Sequence, residues 1–124
     1  MVETPYEELS CRPRSVLVVD DDNLVRESLT AILAEFCDEV FEASDGLEGL
    51  DVLQDHPDVE LVVTDINMPR LDGIGFVRQA RARRPDLKVL FVSGLQHPPR
   101  SETFLAKPFA PRTLVHKVGE LLAA

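Results

Sequence analysis

The chain has 124 residues, 44% of them hydrophobic and 28% charged, and a net charge of −9. A chain of this length fits one domain with a single compact core, and its acidity opposes contact with a phosphate backbone, so direct nucleic-acid binding is not expected. No apolar run could span a bilayer, and the opening MVETPYEELS resembles neither a signal nor a transit peptide, so a cytoplasmic protein without membrane insertion is expected.

Residues 1–13, with Pro5 and Pro13 and no periodicity, read as a tail or linker, and residues 14–124 as the folded domain. Cys11 and Cys37 are too few and too loosely placed for a disulfide framework or a metal knuckle and read as reduced thiols. The first continuous apolar run, Val16 to Val19, leads into three adjacent carboxylates, Asp20, Asp21 and Asp22. Val25, Leu29, Ile32, Leu33 and Phe36 then recur at helical spacing. Asp22, where that helix begins, is read as its N-terminal cap rather than a metal ligand. A weaker apolar run, Val40 to Ala43, precedes a weaker helical stripe of Leu47, Leu50 and Leu53. Leu61 to Val63 is the next strand, ending at Asp65. Asp72-Gly73 reads as a turn and cap for a helix over Gly73 to Arg83, with Ile74, Val77 and Ala80 inward and Pro85 as its stop. Arg78, Arg81, Arg83 and Arg84 are read as a solvated face of that helix, and His56, His97 and His116 as surface residues.

Val89 to Val92 forms the fourth run and ends at Ser93; a weak fifth, Phe104 to Ala106, ends at Lys107. Leu114, Val115, Val118, Leu121 and Leu122 mark the last helix. Only about eight residues, LQHPPRSE, lie between Gly94 and Thr103, and Pro98-Pro99 prevents a helix of three turns there. A loop or single turn is expected. Val-rich runs without alternation suit parallel strands covered on both faces, and their alternation with helices predicts right-handed crossovers and a doubly wound α/β sheet.

In such a sheet the carboxyl ends of the strands share one rim, where ligands bind at the reversal of winding. Asp20, Asp21, Asp65, Ser93 and Lys107 should converge there. Three close carboxylates repel by about 4 kcal/mol per pair at 4 Å and an effective dielectric of 20. One lysine cannot offset that, whereas a hard divalent cation such as Mg²⁺ can. With the cation in the cup, Asp65, alone on the middle strand, is the best candidate for a nucleophile forming an acyl phosphate. Lys107 could neutralise phosphoryl oxygens, and Ser93 could donate to them.

These residues carry a family likeness. VLVVDDD at 16–22, VFEASDG at 40–46, VVTDINMPRLDG at 62–73, VLFVSG at 89–94 and FLAKPF at 104–109 stand in the order and at roughly the spacing found in receiver domains of two-component response regulators, which the chain resembles over about residues 14–122. The resemblance implies a flavodoxin-like sheet of order 2-1-3-4-5. It implies Asp65 as phosphoacceptor, charged by a phosphohistidine on a sensor histidine kinase or histidine phosphotransfer protein. It further implies Mg²⁺, or alternatively Mn²⁺, bound directly by Asp21, Asp65 and the backbone carbonyl of Asn67, with Asp20 acting through water. Ser93 and Phe104 match the family's switch pair, and Lys107-Pro108 its usual cis peptide. Such a domain catalyses only its own phosphorylation and slow dephosphorylation, so it is not an enzyme in the turnover sense.

The sequence departs from the family in three places. The helix between strands 4 and 5 is expected to be shortened or absent; that helix commonly contributes to the family's output and dimer surface, so the standard dimer through its face is doubtful. Ala110 stands where a capping Ser or Thr is common, with Pro111 partly compensating. Leu95 puts an apolar group near the phosphoryl entrance and is expected to influence hydrolysis of the acyl phosphate. The chain is read as a standalone receiver or one cut from a hybrid kinase. No effector segment follows the last helix, so output is expected to pass to a downstream protein target. Two other readings remain: a phosphorylation-independent interaction module with this fold, and a haloacid-dehalogenase-type phosphatase using Asp20 and Asp22.

Overall fold

The computed structural model describes residues 14–35, 37–94 and 100–123. The segment read as a tail, together with Cys11, Phe36, Leu95 and His97, lies outside the described residues. The elements in chain order are β1 (Ser15–Val19), α1 (Asn23–Leu33), β2 (Glu39–Ala43), α2 (Gly46–Asp55), β3 (Leu61–Thr64), α3 (Gly73–Arg83), β4 (Lys88–Ser93), β5 (Thr103–Ala106) and α4 (Pro111–Ala123). All strand pairs are parallel and the order is β2-β1-β3-β4-β5, the doubly wound flavodoxin-like sheet. Among the described residues no helix separates β4 from β5, in keeping with the proline pair in that connection.

The side-chain period of two sends alternate residues of β1 to opposite faces. Val16 and Val18 join Leu29 and Leu33 of α1 and Leu114, Val118 and Leu122 of α4 in one apolar layer. Leu17 and Val19 join Leu53 of α2 and Phe76, Val77 and Ala80 of α3 in the other. The sheet thus divides the expected single core into two. Strands β1, β3 and β4 are covered on both sides, which is why their runs lack polar alternation, whereas the edge strand β2 exposes Glu39 and Glu42.

Helix starts follow from local chemistry. Asp22 accepts from the amides of Leu24 and Val25, and Asp72 from that of Gly75, so both act as the caps expected. Helix α4 starts at Pro111, with the Ala110 carbonyl accepting from Thr113 and Leu114. Burial pushes the Cys37 thiol up to about 11, leaving it protonated and unreactive at neutral pH.

Three expectations need correction. Leu47 is exposed, because the stripe of α2 that meets the sheet runs through Gly46, Gly49 and Leu53. Ile74, Val77 and Ala80 do face inward on α3, joined by the fully buried Phe76; a β-carbon at Gly49 would stand 2.9 Å from its ring, so glycine there lets α2 and α3 approach closely. Arg81 and Arg84 are not simply solvated: Arg81 donates to the Leu87 carbonyl and pairs with Glu102, and Arg84 donates to the Val59 carbonyl, while Arg78 and Arg83 are exposed. His56 is half-buried and stacks on Phe41, with ring centroids 4.0 Å apart. These partners come from distant segments, which spacing along one helix cannot reveal. Phe76→Ala would empty the centre of the second layer and is expected to lower stability by about 3–5 kcal/mol in urea unfolding.

Candidate functional site

The parallel register brings four strand ends to one level. Val19 pairs with Thr64, Thr64 with Phe91 and Ser93 with Ala106. The next residues along β1, β3 and β5 are Asp20, Asp65 and Lys107, and β4 ends in Ser93 itself. Backbone bonds carry the alignment past the strands: the Asp65 amide donates to the Val19 carbonyl at 3.0 Å, and the Lys107 amide to the Ser93 carbonyl at 3.0 Å. The rim lies where the chain switches winding direction between β1 and β3, the place where such sheets hold ligands.

One oxygen from each of Asp20, Asp21 and Asp65 lies within 4.8 Å of the other two. Asp20 is fully buried, the Asp65 side chain is 12% exposed and Asp21 faces solvent. Lys107 Nζ donates to Asp20 Oδ2 and to Asp65 Oδ2, each at 3.1 Å. Asp20 Oδ1 accepts from the Asp22 amide at 2.9 Å, and Asp65 Oδ1 from the Ile66 amide at 2.6 Å. Three carboxylates against one ammonium leave two negative charges uncompensated. A donor set of several hard oxygens with that residual charge fits a divalent cation of the Mg²⁺ kind.

Desolvation pushes the Asp20 carboxyl above its ordinary value, against the pull of the Asp22 amide and Lys107. Burial would lower the Lys107 pKa, but the hydrogen bond and charge of Asp20, joined by Asp65, outweigh it and leave the ammonium held more tightly than usual. The lysine therefore does not make Asp20 comfortable as an ion, because removal from water dominates.

Ser93 is buried at the tip of β4, and Phe104 on β5 pairs in register with Phe91. Register partners in a parallel sheet point to the same face, so Ser93, two residues after Phe91, shares that face with Phe104. Phe104 is half-buried against the layer built on α3. Asn67 follows Asp65 by two residues and is exposed, and Lys107-Pro108 is cis. The structure thus brings Asp20, Asp21, Asp65 and Lys107 together, with Ser93 beside Lys107 on the neighbouring strand. Asp22 caps α1, its side chain accepting from the Leu24 and Val25 amides.

Sequence reasoning missed two supporting groups. Arg26 donates to the Asp20 backbone carbonyl at 2.8 Å and pairs with Glu42 at 3.2 Å, fixing the acidic turn to β2. Asp45, buried at the start of α2, accepts from Arg70 Nε at 2.8 Å. The Glu48 amide holds its carboxyl below the usual carboxylate value despite burial, with help from Arg70. A capping pattern, Asp45-Gly-Leu-Glu48, was visible in the sequence, but the Arg70 partner was not.

A match to the response regulator receiver domain covers residues 16–119. The chain belongs to this family. It is 34% identical to the response regulator receiver protein CpdR of Brucella abortus over 90% of this chain and 98% of that protein. It is 40% identical to the response regulator MprA of Mycolicibacterium vanbaalenii over 89% of this chain, which spans about half of that longer relative (51%). The chemotaxis protein CheY4 of Vibrio cholerae superposes with a TM-score of 0.80 at 27% identity, covering 89% of this chain and 99% of that one. Receiver membership and the two-component class agree with the motif reading, and no helix among the described residues is long and apolar enough to cross a membrane.

Folding raises the Asp20 pKa, so ionised Asp20 weakens the metal-free fold at neutral pH, and that penalty fades as pH falls through the raised value towards 3.8. Metal-free Asp20→Asn, which keeps an acceptor for the Asp22 amide, is therefore expected to melt above the wild type at pH 7. The gap should narrow near pH 4; a variant that melts lower at pH 7 would contradict the burial argument.

Proposed function

We propose that the chain is a phosphoacceptor receiver in a two-component phosphorelay, taking a phosphoryl group on Asp65 from a phosphohistidine of a sensor histidine kinase or phosphotransfer protein. The observation that carries this reading is Lys107 bridging Asp20 and Asp65 at 3.1 Å within a cluster of three carboxylates. An Asp65 carboxylate oxygen attacks phosphorus, the phosphorus–nitrogen bond breaks, and its electron pair returns to the imidazole, which is then free to take a proton. Asp20, Asp21, Asp65 and the Asn67 carbonyl are the groups that would hold Mg²⁺, or Mn²⁺ in its place. When bound, the cation supplies positive charge to the phosphoryl oxygens.

The remaining steps belong to the chain's own side chains. Lys107 is held protonated and stands beside Asp65, where its ammonium can neutralise one phosphoryl oxygen as negative charge shifts onto Asp65. The Ser93 hydroxyl, at the adjacent strand tip, donates to another, and its movement opens room for Phe104 to turn inward along the same sheet face. That rotation alters the β4–β5 surface and so carries the signal to a downstream protein target in the cytoplasm. The chain takes one phosphate per molecule and acts on no substrate other than itself. Without a described helix between β4 and β5, the target meets a surface unlike the family's usual dimer face.

Incubation with acetyl phosphate and Mg²⁺ is expected to add one phosphate by intact mass, base-labile and lost in Asp65→Asn. Lys107→Ala should slow the reaction by about tenfold or more, and a chelator should abolish it. No adduct on the wild type would leave an interaction module that uses the fold without phosphorylation, and turnover of a generic phosphate ester would point to a phosphatase. Mg²⁺ should also raise the melting temperature of the wild type, since a ligand bound only by the folded state stabilises it.

A further inference from the structure

The loop from Asp65 to Gly73 carries the acceptor, and its two ends are closely tied. The Gly73 amide donates to the Ile66 carbonyl at 2.7 Å, and a β-carbon at Gly73 would stand 2.0 Å from the Asp65 carbonyl oxygen. The far tip, Pro69-Arg70-Leu71, turns back on itself through a bond from the Leu71 amide to the Pro69 carbonyl at 2.8 Å. Its position relative to the sheet is set by what it touches outside the loop.

Met68 and Leu71 pack against the layer built on α3, and a β-carbon at Gly75 would stand 2.9 Å from the Leu71 side chain; two further contacts lie at the start of α2. A β-carbon at Gly46 would stand 2.7 Å from the Leu71 carbonyl oxygen and 3.0 Å from the Leu71 side chain, so the helix start is pressed directly against the tip. Beside it, the Asp45 carboxylate takes two nitrogens of one guanidinium, Arg70 Nε at 2.8 Å and Nη2 at 2.6 Å. Asp45 is only 6% exposed, and its other oxygen caps α2 through the Glu48 amide at 2.9 Å. The acceptor of this ion pair is therefore fixed on a helix, while the donor sits on the loop.

Arg70 adopts φ 69°, the one non-glycine residue with positive φ among the described residues. Glycine would occupy that left-handed backbone without penalty, whereas arginine does so against its own preference. The side chain helps to offset this through its ion pair with Asp45, where Nε and Nη2 converge on the single oxygen Oδ2 while Oδ1 stays on the Glu48 amide.

We propose that Asp45 and Arg70 are positioning residues for the acceptor site: their ion pair anchors the 65–73 loop to α2 and thereby sets where Asp65 and the Asn67 carbonyl stand. This inference rests on the phosphoacceptor reading of Asp65. Neither residue belongs to the carboxylate cluster; the pair acts through the loop, on cation affinity and on the rate of phosphorylation.

The test compares Arg70→Gly, which frees the backbone while removing the ion pair, and Asp45→Ser, which keeps a helix cap while removing the charge. Arg83→Gln, an exposed arginine on α3, controls for the loss of one positive charge. Mn²⁺ affinity is read by electron paramagnetic resonance, phosphorylation by acetyl phosphate and intact mass, and stability by melting without metal. Both pair variants should bind Mn²⁺ about three- to tenfold more weakly and phosphorylate correspondingly more slowly, with Arg83→Gln unchanged. Arg70→Gly should do so without a lower metal-free melting temperature, a separation that a purely structural role does not produce.

Wild-type Mn²⁺ affinity and rate in both pair variants would overturn the proposal, whatever happens to their melting. So would a loss of affinity that tracks melting temperature across the variants. A wild type that binds Mn²⁺ but takes no phosphate sinks the phosphoacceptor reading alone, and the Mn²⁺ comparison still decides the positioning role. A wild type that binds no Mn²⁺ overturns both.

Discussion

Crowding of like charge at the tips of β1 and β3 is the constraint around which this molecule is built. Asp20 and Asp65 share one lysine from β5, and Asp21 adds a third carboxylate within 4.8 Å. At that spacing a pair of ions repels by about 3 kcal/mol at an effective dielectric of 20, before solvent screening of the exposed member. Such an arrangement persists only if the backbone cannot relax away from it. The strands under the site are held between two apolar layers, and Val16 to Val19 and Leu61 to Val63 are all fully buried. Burial of these runs supplies the rigidity that keeps an unfavourable set of charges together.

The same logic explains how the groups around the cluster are used. Arg26 ties the Asp20 carbonyl to β2 through Glu42, Asp22 is committed to the start of α1, and Asp72 to the start of α3. None of these belongs to the carboxylate cluster. Each removes a degree of freedom from a loop beside it, which is how a site made of short loops keeps its geometry. Asp45 links more distant parts, because one carboxylate serves both the start of α2 and Arg70 at the tip of the 65–73 loop.

The short connection between β4 and β5 changes the balance of the two faces. On one face α1 and α4 cover the sheet, and on the other α2 and α3 do, with Arg81 reaching from α3 to Glu102 just ahead of β5. That ion pair joins α3 to the approach to β5. Phe104, on the same side, packs against the α3 layer while remaining partly accessible.

Much of this was legible in the amino-acid order. Short, unbroken Val-rich runs suit strands buried on both sides, and a proline pair in a short connection opposes a long helix, so the parallel sheet and the lack of a helix between β4 and β5 among the described residues follow from local chemistry. A carboxylate, serine or lysine at the end of each run then falls on one rim, because parallel strands present the same end to the same side. What local order does not carry is the set of contacts between segments far apart in the chain. Phe76 is fully buried beside Ile74 and Val77 because Gly49 of another helix makes room for its ring. Arg70 meets Asp45 across 25 positions, and Arg84 meets Val59 across the same span. Periodicity reports which face of an element is apolar, whereas the partner of a buried charge is chosen by packing, and only the folded chain decides that.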